Sequence, residues 1–296
     1  MSAADAAVAA GARAGRRPSA VAAWFRLLRS ELGLVFQRRR NQALLAVLVV
    51  LPVTLGIVLR VTSPSPRGGD GGPNASLLDQ LAGNGVFLAF LALTILLTLV
   101  LPLVVAVVAG DSVAGEAGSG TIRYLLAVPA GRTRLLSVKY TAVVLFGLAA
   151  CIIVAGAALA TGAALFPVGP VTLLSGTTVP LSEGLLRVLF ITLYVAAGMA
   201  ALGAIGVAVS TLTEHPIGAI ATVLVIAVAS EVADNVPQIS AAHPYLPTHW
   251  WLSFDALLRS PIDTTTLLHG LLSFGVYAVI FLSLAWARLT TADVTS

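Results

Sequence analysis

Cysteine occurs once in these 296 residues, lysine once and methionine twice, and charged side chains make up only 10% of the chain. One thiol, Cys151, can form no intrachain disulfide and can assemble no thiol-based metal or redox centre. The lone lysine, Lys139, follows Ser137 and Val138 and precedes Tyr140, so the chain has no GxxxxGK[ST] loop and cannot bind ATP in that way itself. HExxH and GxSxG are also missing, and Ser119 has no evident histidine and acid to activate it, which argues against an enzyme. No ionisable residue lies near the middle of any long apolar run, which argues against an ion-coupled secondary transporter. No polar stretch is long enough to build a second core.

What is abundant is apolar: hydrophobic residues are 58% of the chain and the mean hydropathy is +0.97. Such a composition belongs to an integral membrane protein. A helix needs roughly 20 apolar residues to cross about 30 Å of hydrocarbon. Six windows meet that need, at about 43–59, 86–109, 140–165, 185–210, 217–233 and 267–287. The fifth is short, since Glu214 and Glu231 flank it, but its core ATVLVIAVA is strongly apolar. The runs are continuous rather than alternating, so helices are expected and not a barrel.

Basic residues set the expected orientation, because they are retained on the cytoplasmic side. Thirteen fall on one side: eight before the first window from Arg13 to Arg40, then Arg123, Arg132, Arg134, Lys139 and Arg288. Four fall on the other: Arg60, Arg67, Arg187 and Arg259. Both termini are therefore expected in the cytoplasm, which requires an even number of spans. The net charge of +4 is explained by anionic headgroups beside the spans; no aromatic-interleaved basic patch suggests nucleic acid.

Residues 1–20 are rich in alanine, glycine and arginine, with no apolar run, and read as a disordered tail before a membrane domain at 21–296. Over 21–40, Val21, Trp24, Phe25, Leu28, Leu32, Val35 and Phe36 recur at helical spacing, which predicts an amphipathic helix in the cytoplasmic interface.

Between the second and third windows lies a charged, glycine-rich insert, residues 110–139, expected on the cytoplasmic face. Gly115, Gly118 and Gly120 make a helix through its first part costly. Residues 121–127 read as a short helix stopped by Pro129, tethered to two spans and so suited to act as a lever. Glu116, then GSGTIRYLL, then Pro129, then GRTRLL and Lys139, together with the six-span topology, resemble the permease subunit of an ABC-2 type ABC transporter. The resemblance implies a coupling helix that docks on a separate nucleotide-binding subunit carrying ATP and magnesium, with Glu116, Gly120, Thr121, Arg123, Tyr124, Leu125, Leu126, Pro129 and Arg132 as coupling residues. It further implies a second permease copy or a related permease, and export as the direction of transport.

The fifth connection, 234–266, contains AAHPYLPTHWWLSFDALLRSP, in which 251–258 reads as a short amphipathic helix resting on the outer surface. By the same resemblance it forms a re-entrant external gate, with Glu231 and Asp234 at the exit mouth. The spacing of His243, His249 and Asp255 matches no common metal motif. Glu214, His215 and Pro216 read as a short turn, and Gly198, Ala201, Gly203, Ala204 and Gly206 as close-packing positions of the fourth span. Apolar and threonine side chains such as Thr94, Thr98, Thr141 and Thr192 leave the cargo hydrophobic or amphipathic, a drug, antibiotic or lipid. An ion-coupled carrier, or a scaffold or sensor partnered with an ATPase, remains the alternative.

Overall fold

The computed structural model describes residues 20–62, 84–118 and 131–291. In chain order these form α1 (Ala20–Gln37), α2 (Arg39–Thr62), α3 (Phe87–Thr98), α4 (Val100–Gly118) and α5 (Arg132–Leu165). A small antiparallel ribbon of β1 (Val171–Thr172) and β2 (Thr178–Val179) follows, then α6 (Leu181–Ser210), α7 (Pro216–Asp234), two 3₁₀ helices (Pro237–Tyr245 and Trp251–Leu258) and α8 (Thr264–Thr291). Six of these, α2 and α4 to α8, are long and apolar enough to cross a membrane, the number predicted, although the second window, 86–109, is divided between α3 and the first half of α4. The chain is a multi-pass, helical membrane protein.

Helix α6 is the axis around which the others pack, because its small residues let neighbouring backbones approach. An added Cβ at Gly203 would lie 2.8 Å from Val143 of α5, and one at Gly206 would lie 2.5 Å from Ala109 of α4. The glycines predicted to pack closely therefore do so. Helix α8, with Leu268, Leu272, Val276 and Val279 exposed, lies on the outside of the bundle.

The second span is not one continuous helix. It breaks at Leu99 (φ −144°, ψ −44°), between α3 and α4. Pro102 has no N–H to offer the Thr98 carbonyl, so the ladder fails one turn before the proline. Helix α4 then continues to Gly118, against the expectation that Gly115 and Gly118 would end it. Tertiary contact overrides propensity here: a Cβ at Gly110 would lie 2.8 Å from Ile220 of α7, and one at Gly118 would lie 2.9 Å from the Glu214 carbonyl. These glycines admit neighbours to a helix rather than stopping it.

The 251–258 segment also differs from its reading as a surface helix. It is a 3₁₀ helix with Trp251, Phe254 and Leu257 buried, packed against α6 and α8. The span threonines donate to their own helices, Thr94 to Phe90 O, Thr98 to Thr94 O, Thr141 to Ser137 O and Thr192 to Val188 O. Their hydroxyls are thus satisfied locally.

Antiparallel packing gives the bundle two ends. One holds α1, the start of α2, the end of α4 and the start of α5; the other holds the ribbon, the start of α3 and both 3₁₀ helices.

Candidate functional site

At the α1 end a charged network ties four helices together. Leu28 of α1 packs on Val138 and Ala142 of α5, and Trp24 Nε1 donates to Ser137 Oγ at 3.0 Å. This apposition carries Glu31 to Lys139, whose ammonium lies 3.4 Å from Glu31 Oε1 and 2.6 Å from Glu116 Oε1 of α4. The Lys139 side chain is only 3% exposed, so its charge is compensated by carboxylates and not by water. Beside it, Asp111 receives Arg38 and, at 3.1 Å, Arg40, which fixes the α1–α2 junction against α4. Gly115 leaves room for that carboxylate, since a Cβ there would lie 2.5 Å from Asp111 Oδ1. Asn41 completes the junction by donating to the Val35 carbonyl at 2.7 Å. A cavity of about 30 Å³ lies among Glu31, Asn41, Asp111, Glu116 and Lys139, enough for about one water.

Helix α4 is held from a second direction by Ser210, the last residue of α6. Its hydroxyl donates to the Gly110 carbonyl at 2.7 Å and accepts from the N–H groups of Val113 (3.1 Å) and Ala114 (2.8 Å). A side chain inserted into the ladder in this way is a recognised cause of helix bending. Across the bundle end, Arg132 at the start of α5 donates to the carbonyls of Leu289 (2.7 Å) and Thr290 (2.9 Å) of α8, and Trp286 donates to Thr133. The helices that border the 119–130 segment are therefore anchored, α4 through Glu116 and α5 through Arg132.

Of the expected coupling residues, Glu116 and Arg132 fall within the described structure and occupy these two anchors. Gly120, Thr121, Arg123, Tyr124, Leu125, Leu126 and Pro129 lie outside the described residues. Glu31, Asp111, Arg38 and Ser210 escaped the sequence reading as site residues. One signal for Glu31 was present: it stands among Leu28, Leu32 and Val35 on the apolar face of α1, where an acid needs a partner.

The opposite end is organised around Arg187 and Asp234. The buried Arg187 guanidinium pairs with Glu183 at 2.7 Å and donates to the carbonyls of Leu257 and Arg259, so it holds the end of the second 3₁₀ helix on α6. Asn84 pins the start of α3 by donating to Gly169 O and Pro170 O, both at 2.8 Å. Gly85 and Gly162 lie backbone to backbone at this point. Asp234, at the end of α7, accepts from His249 Nδ1 at 2.6 Å and lies 3.8 Å from His243 Nδ1. Ser230 and Thr248 add a hydroxyl pair at 2.7 Å. The proposed gate residues Glu231 and Asp234 thus stand one turn apart on α7, with Asp234 clamping the connection that follows. Asp255 is apart from them and pairs with Arg259. Among the described residues, no group of three or more His, Cys, Asp or Glu side chains is placed to hold a metal ion.

The sequence model of a family described as ABC-2 family transporter protein matches residues 37–230, from the α1–α2 junction to the last turn of α7. No curated protein matches the chain.

Proposed function

Because the chain belongs to the ABC-2 transporter family, of which it is a membrane component, we propose that it is the permease subunit of an exporter. ABC-2 permeases generally pair with an ATPase subunit. The ATP and magnesium would sit on that separate subunit, and two permease copies, or this chain and a related one, would surround the pathway. The cargo would be hydrophobic or amphipathic, a drug, antibiotic or lipid. Both termini would face the cytoplasm, with α1 in the membrane interface and the 119–130 segment, including a coupling helix near 121–128, docked on the ATPase.

The observation that best supports this reading is the Glu31–Lys139–Glu116 network. A force applied to a segment whose two borders are fixed to α4 and α5 reaches both spans, and through Lys139 it reaches α1. Rigid packed elements with discrete arrangements are the means by which such displacement is carried. Glu231 and Asp234 would respond at the other end as parts of an exit gate.

The test is purification of the tagged permease from its native membrane in gentle detergent, with mass spectrometry of co-purifying proteins. The expected result is a stoichiometric P-loop ATPase that is lost when residues 121–126 are replaced. Recovery of the permease without any ATPase would overturn the proposal and favour a carrier or a scaffold.

A further inference from the structure

At the ribbon end a cavity of about 440 Å³ opens between α3 and the second 3₁₀ helix, a volume in the range of small-molecule sites. Its walls are apolar and aromatic. Phe87, Phe90 and Leu91 line it from α3, and Phe254 and Leu258 from the facing segment, with Phe87 and Phe90 edge to face at 5.6 Å. Its polar lining comprises Asp255, His249 and the hydroxyls of Ser253 and of Thr94, which donates to the Phe90 carbonyl. Asp255 supplies a carboxylate, and His249, whose Nδ1–H is taken by Asp234, keeps Nε2 as an acceptor when the ring is neutral. Among the described residues, no arginine or lysine lines the cavity. Arg259 approaches Asp255 from outside at 3.1 Å, but both side chains are about half exposed, and such an i,i+4 pair is weak enough for a better-placed cation to displace.

We propose that this cavity binds an amphipathic cation, a primary ammonium carried on an acyl or aromatic body of drug size, with the body among the phenylalanines and the ammonium on Asp255. The proposal deepens the exporter reading by naming the class of its cargo, and it rests on that reading only for the step of transport. Three features select this occupant. The ring faces attract a cation as well as an apolar body. The acceptor-rich end suits a group with three N–H donors. The Asp255 carboxylate disfavours fatty acids and other anions. The exposed apolar faces of α2 and α8, by contrast, present valine and leucine without an acid among them, as lipid contact requires.

The break at Leu99 makes α3 a 12-residue half-helix, held at its start by Asn84 and at its end by the break.

The test uses the full permease in phosphatidylcholine nanodiscs without any ATPase, so that binding is read independently of transport. The probes are a diazirine-bearing dodecylamine and the alcohol of the same chain, with cross-linked peptides mapped by mass spectrometry. Labelling by the amine is expected within 87–94 and 251–258, in excess of the alcohol by about tenfold. Asp255→Asn should bring the amine down to the level of the alcohol. Arg259→Gln should raise amine labelling, and Leu91→Trp, which fills the cavity, should abolish labelling by both. Equal labelling by the two probes in the unaltered protein would assign the cavity to lipid chains and overturn the proposal. Absence of labelling together with disulfide formation between two Leu91→Cys chains would assign it to an interface between copies, with the same consequence. If binding is found but no ATPase co-purifies, the site stands and the exporter reading falls.

Discussion

Lys139 of α5 and Glu116 of α4 meet at 2.6 Å, and the same ammonium reaches Glu31 of α1 at 3.4 Å. Three helices distant in sequence share one buried charge. Removing that charge leaves two carboxylates facing each other away from water, a change that typically costs about 3–5 kcal/mol. Lys139→Met should therefore lower the thermal unfolding temperature of the purified protein sharply. Adding Glu116→Gln to it should restore a large part of the loss, because one of the two stranded charges is then gone. A Lys139→Met protein as stable as the unaltered chain would reduce the network to an incidental contact.

Transmission can be separated from stability. Glu116→Ala and Arg123→Ala should both lower partner-stimulated transport while membrane insertion is retained. Transport in vesicles, normalised to inserted permease, is the measurement, and full transport by both variants would remove the lever from the mechanism.

Ser210 gives a local prediction. Ser210→Ala removes a hydroxyl that serves one carbonyl and two amides of α4, and a net loss of about 1 kcal/mol is expected, as is typical of hydrogen bonds whose partners can rebond in their own helix. Hydrogen exchange at the Val113 and Ala114 amides should accelerate. If those amides exchange as slowly as before, the wedge does not hold the helix.

Gly85 and Gly162 test the packing of the other end. A Cβ on either would overlap the carbonyl of the other, and neither backbone can swing aside as a side chain does. Gly85→Ala and Gly162→Ala should each cost about 3 kcal/mol or more, at or beyond the upper part of the overpacking range. Folded yield in detergent, followed by size exclusion, would reveal it. Gly156→Ala, with open space around it, is the control and should be silent.

Asp263 sets a pH dependence. Its carboxylate accepts from the Thr266 hydroxyl and from the amides of Thr266 and Thr265 at the start of α8, and these bonds hold its pKa below the ordinary aspartate range. A carboxylate with a depressed folded pKa stabilises fully above its unfolded value, near 4, and loses that contribution as pH falls through the folded value. Amide protection in the first turn of α8 should thus be constant from neutral pH down to about 4 and fall below it. Asp263→Asn, still a good cap, should flatten this dependence.

Much of the architecture was legible from residue order. Six apolar runs became six long helices, and the spacing of Trp24, Leu28, Leu32 and Val35 became α1, because burying apolar side chains at a helical period is a local property. Glu116 could be singled out because it opens the motif, followed by GSGTIRYLL, that resembles ABC-2 permeases. The break at Leu99 was legible too, since Pro102 lacks the donor that the Thr98 carbonyl needs. Two errors had a common cause. The persistence of α4 depends on Ser210 and the neighbours of Gly110 and Gly118, and the burial of 251–258 on Arg187. Each is decided by a residue far away in sequence, to which a hydropathy window is blind.

By itself, then, the sequence determined a membrane protein of six spans with a charged insert between the second and third, since hydropathy, length and glycine content act over neighbouring residues. Only the tertiary structure decided which charges meet. Lys139 lies 108 positions from Glu31, and Arg187 lies 70 from Leu257. Nothing in the intervening residues specifies those distances, because in a helical membrane bundle they follow from how small residues such as Gly203 and Gly206 let one helix settle against the next.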